Sequence, residues 1–192
     1  NAALYLSYLN LGFDYRFAKK EDCYNATKAY QGVINNYKGY PEIIVKAYWY
    51  LGWIHCDLLN EKEIGIGYYW NIVGKYPDLE IGISSPVPWV SLVYPLTAKE
   101  VQPAKVKAQK QWASIALLEI IRHSNNKTEV EKAFDVLWQD YKSSVPTGLA
   151  INLMLQNKKC TKKALLYVDK YLALDIANLY LTLEIKKSAK EY

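Results

Sequence analysis

A chain of 192 residues in which 51% of the side chains are hydrophobic is long enough to bury a core of its own. Its 24 basic and 19 acidic residues leave a net charge of +5, and the basic residues are spread in short pairs along the chain. Nucleic-acid-binding domains gather positive charge on one face, so this distribution argues against a nucleic acid partner. The chain contains no apolar run of about 18 residues, and we therefore expect no membrane span.

Three cysteines, Cys23, Cys56 and Cys160, are scattered without a C-x-x-C pair. This arrangement excludes a local zinc ribbon, a thioredoxin-like redox motif and covalent haem attachment. An odd number leaves at least one thiol free. The sequence does not decide whether the other two form a disulfide.

Helical periodicity begins near the start of the chain. Apolar residues are dense enough over 4–18 to predict a well-buried helix, and residues 23–37 repeat the helical period with Asp22 as a candidate N-cap. The sequence Gly39-Tyr40-Pro41 ends this segment, and Pro41 suits the first turn of the following helix.

The clearest stretch is 47–77, which indicates two amphipathic helices joined by a polar hinge at 60–63. The apolar and small residues of both helices recur at helical spacing: Tyr48, Leu51, Gly52 and His55 in the first, then Gly65, Tyr69 and Ile72 in the second. Such spacing is typical of one packed helical hairpin, which here closes at Pro77.

The helical pattern fails over 78–102, where prolines, glycines and serines alternate with apolar residues. A loop longer than about 15 residues is unusual in a compact domain and tends to be functional or disordered. After Pro103 the period returns over 104–123 and 129–142, and Thr128 with Glu131 has capping-box spacing. A further helical pair is predicted from 147–155 and from Thr161 onward. The sequence does not decide whether 162–190 forms one helix or two.

The predicted hairpins repeat one another. Four residues of the first helices match position for position, and the second helices share an aromatic spacing: Tyr8-Leu11-Gly12-Tyr15 with Tyr48-Leu51-Gly52-His55, and Tyr30-Val33-Tyr37 with Tyr69-Ile72-Tyr76 and Phe134-Leu137-Tyr141. Small residues such as Gly12 and Gly52 would let paired helices approach closely. Units that cannot bury their faces alone form a core by stacking.

This pattern resembles the tetratricopeptide repeat (TPR) family, whose consensus is W-x2-L-G-x2-Y, then A-x3-F, then P. Tyrosine stands at the tryptophan position in both clear units, and His55 replaces the second tyrosine. The endings VINNY and IVGKYPD are similar to the subgroup in bacterial cell-envelope proteins, such as outer-membrane assembly lipoproteins and Tol–Pal accessory proteins. The resemblance is strongest over 5–78 and extends to 104–142.

The resemblance implies an all-α fold, a right-handed α-solenoid of three to four TPR-like hairpins plus a C-terminal helix. We predict a single domain over 1–192, divided as follows: clear repeats at 5–40 and 41–78, an irregular insertion at 78–102, degenerate repeats at 103–145 and 146–174, and a C-terminal helix at 175–190. A fold signature of this kind carries little functional specificity.

A search for chemistry finds no phosphate-binding, dinucleotide-binding or nucleophile-elbow motif. His55 takes a consensus aromatic position and is interpreted as a packing residue. His123 ends a helix, where an imidazolium suits the carbonyl dipole. Cys56 and Asp57 adjoin His55, but neighbouring helical positions point in different directions. We therefore predict no catalytic residue, no metal site and no cofactor.

In the TPR family the first helix of each hairpin lines a concave surface. The resemblance implies a partner-binding surface there, extended by the loop: Leu9, Phe13, Arg16, Lys46, Trp49, Trp53 and Cys56, with Trp89 and Tyr94 from the loop. Two exposed tryptophans in helical register would make a peptide-sized hot spot, unless residues 78–102 cover them.

The sequence thus favours a non-enzymatic protein–protein interaction scaffold or assembly factor that holds a protein or peptide partner in a larger complex. A bacterial envelope complex is expected, with a periplasmic or envelope-associated location favoured and a cytoplasmic one open. Two alternatives remain. One is an accessory domain or subunit of an envelope enzyme, with a pocket formed by 78–102. The other is a structural homo-oligomer with its Trp-rich face buried against a second copy.

Overall fold

The computed structural model describes residues 19–80, 111–174 and 179–192, and this part of the chain consists of helices, the turns that join them and one isolated bridge between Glu80 and Gln111. Eight helices are seen, and a π-helical segment, Ile54–Leu58, continues the second: α1 (Lys20–Asn36), α2 (Pro41–Trp53), α3 (Lys62–Lys75), α4 (Trp112–His123), α5 (Lys127–Tyr141), α6 (Val145–Gln156), α7 (Thr161–Leu172) and α8 (Leu179–Ala189). The predicted all-α class is confirmed for the described residues. None of these helices has the length and apolarity needed to cross a membrane.

The helices pack mainly against their neighbours along the chain. Helix α1 packs on α2, α2 on α3 and α3 on α4, while α4 contacts both α5 and α6, and α6 contacts both α7 and α8. A small apolar cluster lies between α1 and α2, around Tyr30 and Leu51. A larger one runs from α2 to α8, with Tyr69, Leu117 and Phe134 fully buried within it.

Helices α2 and α3 cross almost backbone to backbone. A Cβ atom placed on Gly52 would lie 2.6 Å from the ring of Tyr69, and one on Gly65 would lie 2.7 Å from the carbonyl oxygen of Gly52 and overlap the Cys56 sulfur. Since no side chain fits at either position, the sequence needs glycine at both. The close approach predicted at Gly52 is confirmed.

A π-helical turn ends α2. The backbone N–H of Leu59 donates to the carbonyl of Ile54, five residues back, at 2.9 Å, and Asn60 then takes the left-handed conformation with φ 57°. A π turn holds one residue more than an α turn, so the side chains that follow it are rotated about the axis. This rotation lies within the segment that carries His55 and Asp57.

Two predicted helix starts differ from the structure. Asn126 is the N-cap of α5, and its side chain accepts from the backbone N–H of Thr128 at 3.0 Å and of Glu129 at 3.4 Å. The capping box predicted at Thr128 is wrong, because Asn126 is an equally good cap two residues earlier. Asp22 lies inside the first turn of α1, where its charge still suits the helix dipole.

The segment left open by the sequence, 162–190, forms two helices, α7 and α8, and both pack against α6. Cys23, Cys56 and Cys160 are all free thiols. The predictions for residues 1–18 and for most of the 78–102 insertion lie outside the described residues.

Candidate functional site

The predicted partner-binding surface is only partly exposed. Lys46 and Trp53 are half-buried, whereas Trp49 is 2% exposed and Cys56 is also buried. The other predicted contacts lie outside the described residues: Leu9, Phe13, Arg16, Trp89 and Tyr94.

Trp49 therefore does not form an exposed pair with Trp53, a possibility that the sequence left open. Helix α2 is packed by α1 on one side and α3 on another, so buried residues cover most of its circumference. The Trp49 ring belongs to the large apolar cluster and meets the ring of Tyr50 edge-on at 5.2 Å. A helix flanked on two sides buries more than a single apolar stripe. Cys56 is likewise unavailable to a partner, because its side chain is buried where α2 and α3 cross at Gly65.

A different group of residues stands out in the structure. Asp57 of the π turn meets Glu119 and His123 of α4, and we call these three residues the carboxylate–histidine cluster. The Nε2 atom of His123 lies 3.2 Å from a carboxylate oxygen of Glu119 and 3.3 Å from one of Asp57. One donor atom from each of the three lies within 4.8 Å of the other two.

The positions of the cluster residues follow from two local structures. Glu119 and His123 are four residues apart on α4, so they share one face of that helix. Helix α4 is buried on nearly every side, and this face points into the protein. The end of α4 is held by Lys159, whose ammonium donates to the carbonyl of Arg122 at 3.1 Å and of Ser124 at 2.8 Å.

The cluster is buried on the inside and bordered by solvent on one side. The Glu119 side chain is 4% exposed and that of His123 is 8% exposed, while Asp57 is 23% exposed. Arg122 is half exposed and closes the outer side, with one guanidinium nitrogen 3.3 Å from Glu119 and the other 3.6 Å from Asp57. The carboxylates therefore face an imidazole inside and a guanidinium outside.

The neighbouring charges change how these bases hold protons. Burial alone would lower the pKa of His123, but its contacts with Asp57 and Glu119 outweigh burial and raise that pKa above its usual value. The pKa of Arg122 is likewise raised by the two carboxylates against the effect of burial. With both bases protonated the four charges balance, which matters because an uncompensated buried charge costs several kcal/mol.

Two further polar groups lie beside the cluster. The Tyr69 hydroxyl is fully buried and finds no hydrogen-bond partner among the described residues. Burial raises its pKa well above the usual value, and the negative charges of Glu119 and Asp57 raise it further. Burial, with the same two charges, raises the pKa of Cys56 to about 12. Its thiol therefore stays protonated at neutral pH and is a poor nucleophile.

The other histidine has a simpler environment. His55 is buried, stacks on the ring of Tyr68 at 5.5 Å and pairs through Nδ1 with Glu61 at 2.7 Å. The second oxygen of that carboxylate accepts from the Tyr24 hydroxyl at 2.6 Å. The prediction that His55 is a packing residue agrees with its burial, and the structure adds a carboxylate partner.

The sequence contained one signal for the cluster that the interpretation overlooked. Glu119 lies four residues before His123, a spacing that places a carboxylate and an imidazole together on a helix. Asp57 gave no such signal, because it lies far from both along the chain and reaches them only through the π turn and the packing of α3 on α4.

Comparison with protein-family models, with curated proteins and with solved structures gives no match for this chain. Two carboxylates and one imidazole, which have no thiolate or activated hydroxyl beside them within the described part of the chain, can hold a cation or a proton.

Proposed function

We propose that this chain is a non-enzymatic scaffold that binds a partner protein, built as a right-handed α-solenoid of TPR-like hairpins. The observation that carries the proposal is the order of packing. Within the pairs α2–α3, α4–α5 and α6–α7 each helix contacts its partner, and successive pairs meet through α3 on α4 and α4 on α6. Repeat arrays are built from such contacts between neighbouring units.

The repeated positions of the second helices add support. In each of α1, α3 and α5 a small or β-branched residue precedes a large aromatic residue by four positions, and all six side chains or glycines are buried: Ala26 and Tyr30, Gly65 and Tyr69, Val130 and Phe134. Equivalent residues that fill equivalent seams are what stacked hairpins require.

Several apolar side chains of the described chain are exposed, among them Tyr40, Ile64 and Leu183, and two further regions are compared as partner contacts. One is the inner face of α2, where Lys46 and Trp53 remain half-exposed. The other is α7, where Leu166 is 68% exposed beside Leu165. We place the partner on α2, because tryptophan with a neighbouring basic residue is the composition of an interface hot spot. The α7 face then serves as a matched control.

Co-purification from the native host, followed by mass measurement of the intact complex, tests this function. The expected result is one partner protein at a fixed ratio, lost with Trp53→Ala and retained with Leu166→Asp. A complex that ignores Trp53→Ala would move the contact elsewhere and contradict the placement on α2.

The same measurement separates the alternatives. A mass of two or more copies of this chain and nothing else would overturn the proposal in favour of a structural homo-oligomer. A partner with enzymatic activity that this chain raises would favour an accessory subunit. The envelope setting rests on the family resemblance, and fractionation of the host cell checks it.

A further inference from the structure

We propose that the carboxylate–histidine cluster of Asp57, Glu119 and His123 is a binding site for a divalent transition-metal ion of the Mn²⁺ or Zn²⁺ type. The site is independent of the partner surface proposed above. Its three donors come from two separate elements, the π turn and α4, and they converge on one point between those elements.

The spacing of the donors suits such an ion. Ligands that bind a metal tetrahedrally at 2.0–2.2 Å lie about 3.3–3.6 Å from one another. The Nε2 atom of His123 lies 3.2 Å from the Glu119 oxygen and 3.3 Å from the Asp57 oxygen. An ion at their centre would need shifts of only a few tenths of an ångström at the histidine, while the two carboxylate oxygens, which lie within 4.8 Å of each other, would move closer together around it.

Hydrogen bonding leaves one atom of the cluster, Nε2 of His123, without a well-aligned partner among the described residues. The Nε2 atom of an imidazole carries at most one hydrogen, yet two carboxylate oxygens lie at nearly equal distance from it. Among the described residues Nε2 of His123 makes a well-aligned hydrogen bond with neither oxygen, although it lies close to both. A cation bonds to all three atoms at once, which a single proton cannot do.

The unpartnered Nε2 atom of the buried His123 is the second observation, and the Tyr69 hydroxyl adds another unsatisfied group on α3, the helix that packs against α4. The hydroxyl is fully buried and has no hydrogen-bond partner among the described residues. Ligating carboxylates are usually held by hydrogen bonds from an outer shell of protein groups. Tyr69 is the candidate for such a bond, and Lys159 already fixes the end of α4 from which His123 projects.

The donor types select the ion. Ca²⁺ and Mg²⁺ prefer sites made of oxygen alone, whereas imidazole favours the transition metals and Zn²⁺. Cys56 does not belong to the donor set, since its sulfur faces the carbonyl oxygen of Lys62 and the crossing at Gly65. The two carboxylates balance the charge of a divalent ion. Arg122, half exposed on the outer side, is the competitor that the ion must move aside.

Titration of the full chain with Mn²⁺ tests the proposal. The protein is prepared without a metal-binding tag, stripped with chelator and titrated while free Mn²⁺ is followed by electron paramagnetic resonance. We expect one ion per chain. At a free metal concentration about 100-fold above Kd, the wild type should melt roughly 5–10 °C higher than the stripped protein.

Matched variants identify the ligands. Asp57→Asn, at the solvent side of the cluster, and His123→Gln should each weaken Mn²⁺ binding by roughly 100-fold or more, and Tyr69→Phe by about 10-fold. His55→Gln changes the other buried histidine and should leave binding as in the wild type. Circular dichroism of each variant separates loss of binding from loss of fold.

Three results would overturn the proposal. The first is no saturable binding of Mn²⁺ or Zn²⁺ by folded wild-type protein, which would make the cluster with Arg122 a charge-balanced structural network. The second is wild-type affinity in both Asp57→Asn and His123→Gln. The third is Zn²⁺ binding that survives those changes and disappears when the cysteines are alkylated.

Discussion

The two histidines of this chain are both buried beside carboxylates, yet their surroundings differ in one respect. His55 meets one carboxylate, Glu61, whose other oxygen accepts from Tyr24, so both oxygens of that carboxylate have a partner. His123 offers one nitrogen to two carboxylates and has an unpaired tyrosine hydroxyl nearby. In the first group one carboxylate is shared by two donors, whereas in the second one imidazole nitrogen is shared between two carboxylates that also pair with Arg122.

The difference arises within a few residues of chain. His55 and Asp57 both belong to the π turn, but one points toward the hinge at Glu61 and the other toward α4. A closed pair and an open cluster can thus be built from the same residue types at neighbouring positions. Local composition does not distinguish them, and the number of donors and acceptors that meet in space does.

The largest expected effect is the loss of the His123 side chain. His123→Ala leaves Asp57 and Glu119 facing only Arg122, and we expect a loss of about 3–5 kcal/mol in the free energy of unfolding, as for other broken buried ion pairs. His55→Ala should cost less, about 1–3 kcal/mol, because its partner Glu61 is partly exposed to water. Urea unfolding of metal-free protein followed by circular dichroism measures both, and equal losses would contradict the contrast.

A second change disturbs the crossing that positions both groups. Gly52→Ala places a methyl group against the Tyr69 ring and should cost about 1–3 kcal/mol by overpacking. Gly67→Ala is the control, since that helical glycine has open space around it and should gain up to about 1 kcal/mol from lower backbone entropy in the unfolded chain. Effects of opposite sign in thermal unfolding are expected. A neutral Gly52→Ala would mean that the helices can move apart freely.

The unpaired hydroxyl gives a smaller contrast. In metal-free protein Tyr69→Phe removes a buried hydroxyl that has no partner, so stability should stay within about 0.5 kcal/mol of the wild type or rise. Tyr141→Phe removes a hydroxyl that donates to the carbonyl of Pro77 at 2.8 Å and should cost about 1 kcal/mol. Chemical unfolding of the pair decides, and a Tyr69→Phe loss as large as that of Tyr141→Phe would show a hydrogen bond at Tyr69.

The smallest expected effect concerns acid stability. The Tyr24 hydrogen bond, followed by that of His55, lowers the pKa of Glu61 below its ordinary 4.5. A lowered pKa in the folded state adds stability above the unfolded value, and this stability is lost as the pH falls through the folded value. Glu61→Gln should therefore be less stable than the wild type at pH 6. The free energies of unfolding of the two proteins should converge near roughly pH 3, where carboxylates become protonated.

The control for that comparison is Glu63→Gln, two residues further on at an exposed position. It should follow the wild-type pH dependence throughout. A Glu61→Gln curve parallel to the wild type from pH 6 to pH 3 would mean that the His55 group contributes nothing through ionisation.

How far the sequence predicted this molecule depends on the range of the interactions. The hairpin around Gly52 and Gly65, the start of α2 at Pro41 and the burial of His55 follow from local spacing, and the structure agrees. The sequence left open whether Trp49 is exposed, and the structure buries it, because the number of helices that surround α2 is a property of the whole array. Asp57 could not be assigned, since hydrophobic periodicity assumes 3.6 residues per turn and gives no sign of a π turn.

The π turn also determines how the protein would respond to a change in length. Each residue of an α-helix advances the chain by about 100° around the axis. One residue more or less therefore turns the following side chains strongly while it changes the length of the helix only slightly. Deleting Cys56 would move the carboxylate of Asp57 into the position that now faces Gly65, while His55 would keep its place in the chain before the deletion. Inserting or deleting one residue here would therefore change the direction in which the Asp57 carboxylate points. The amphipathic patterns of α2 and α3 would stay almost unchanged.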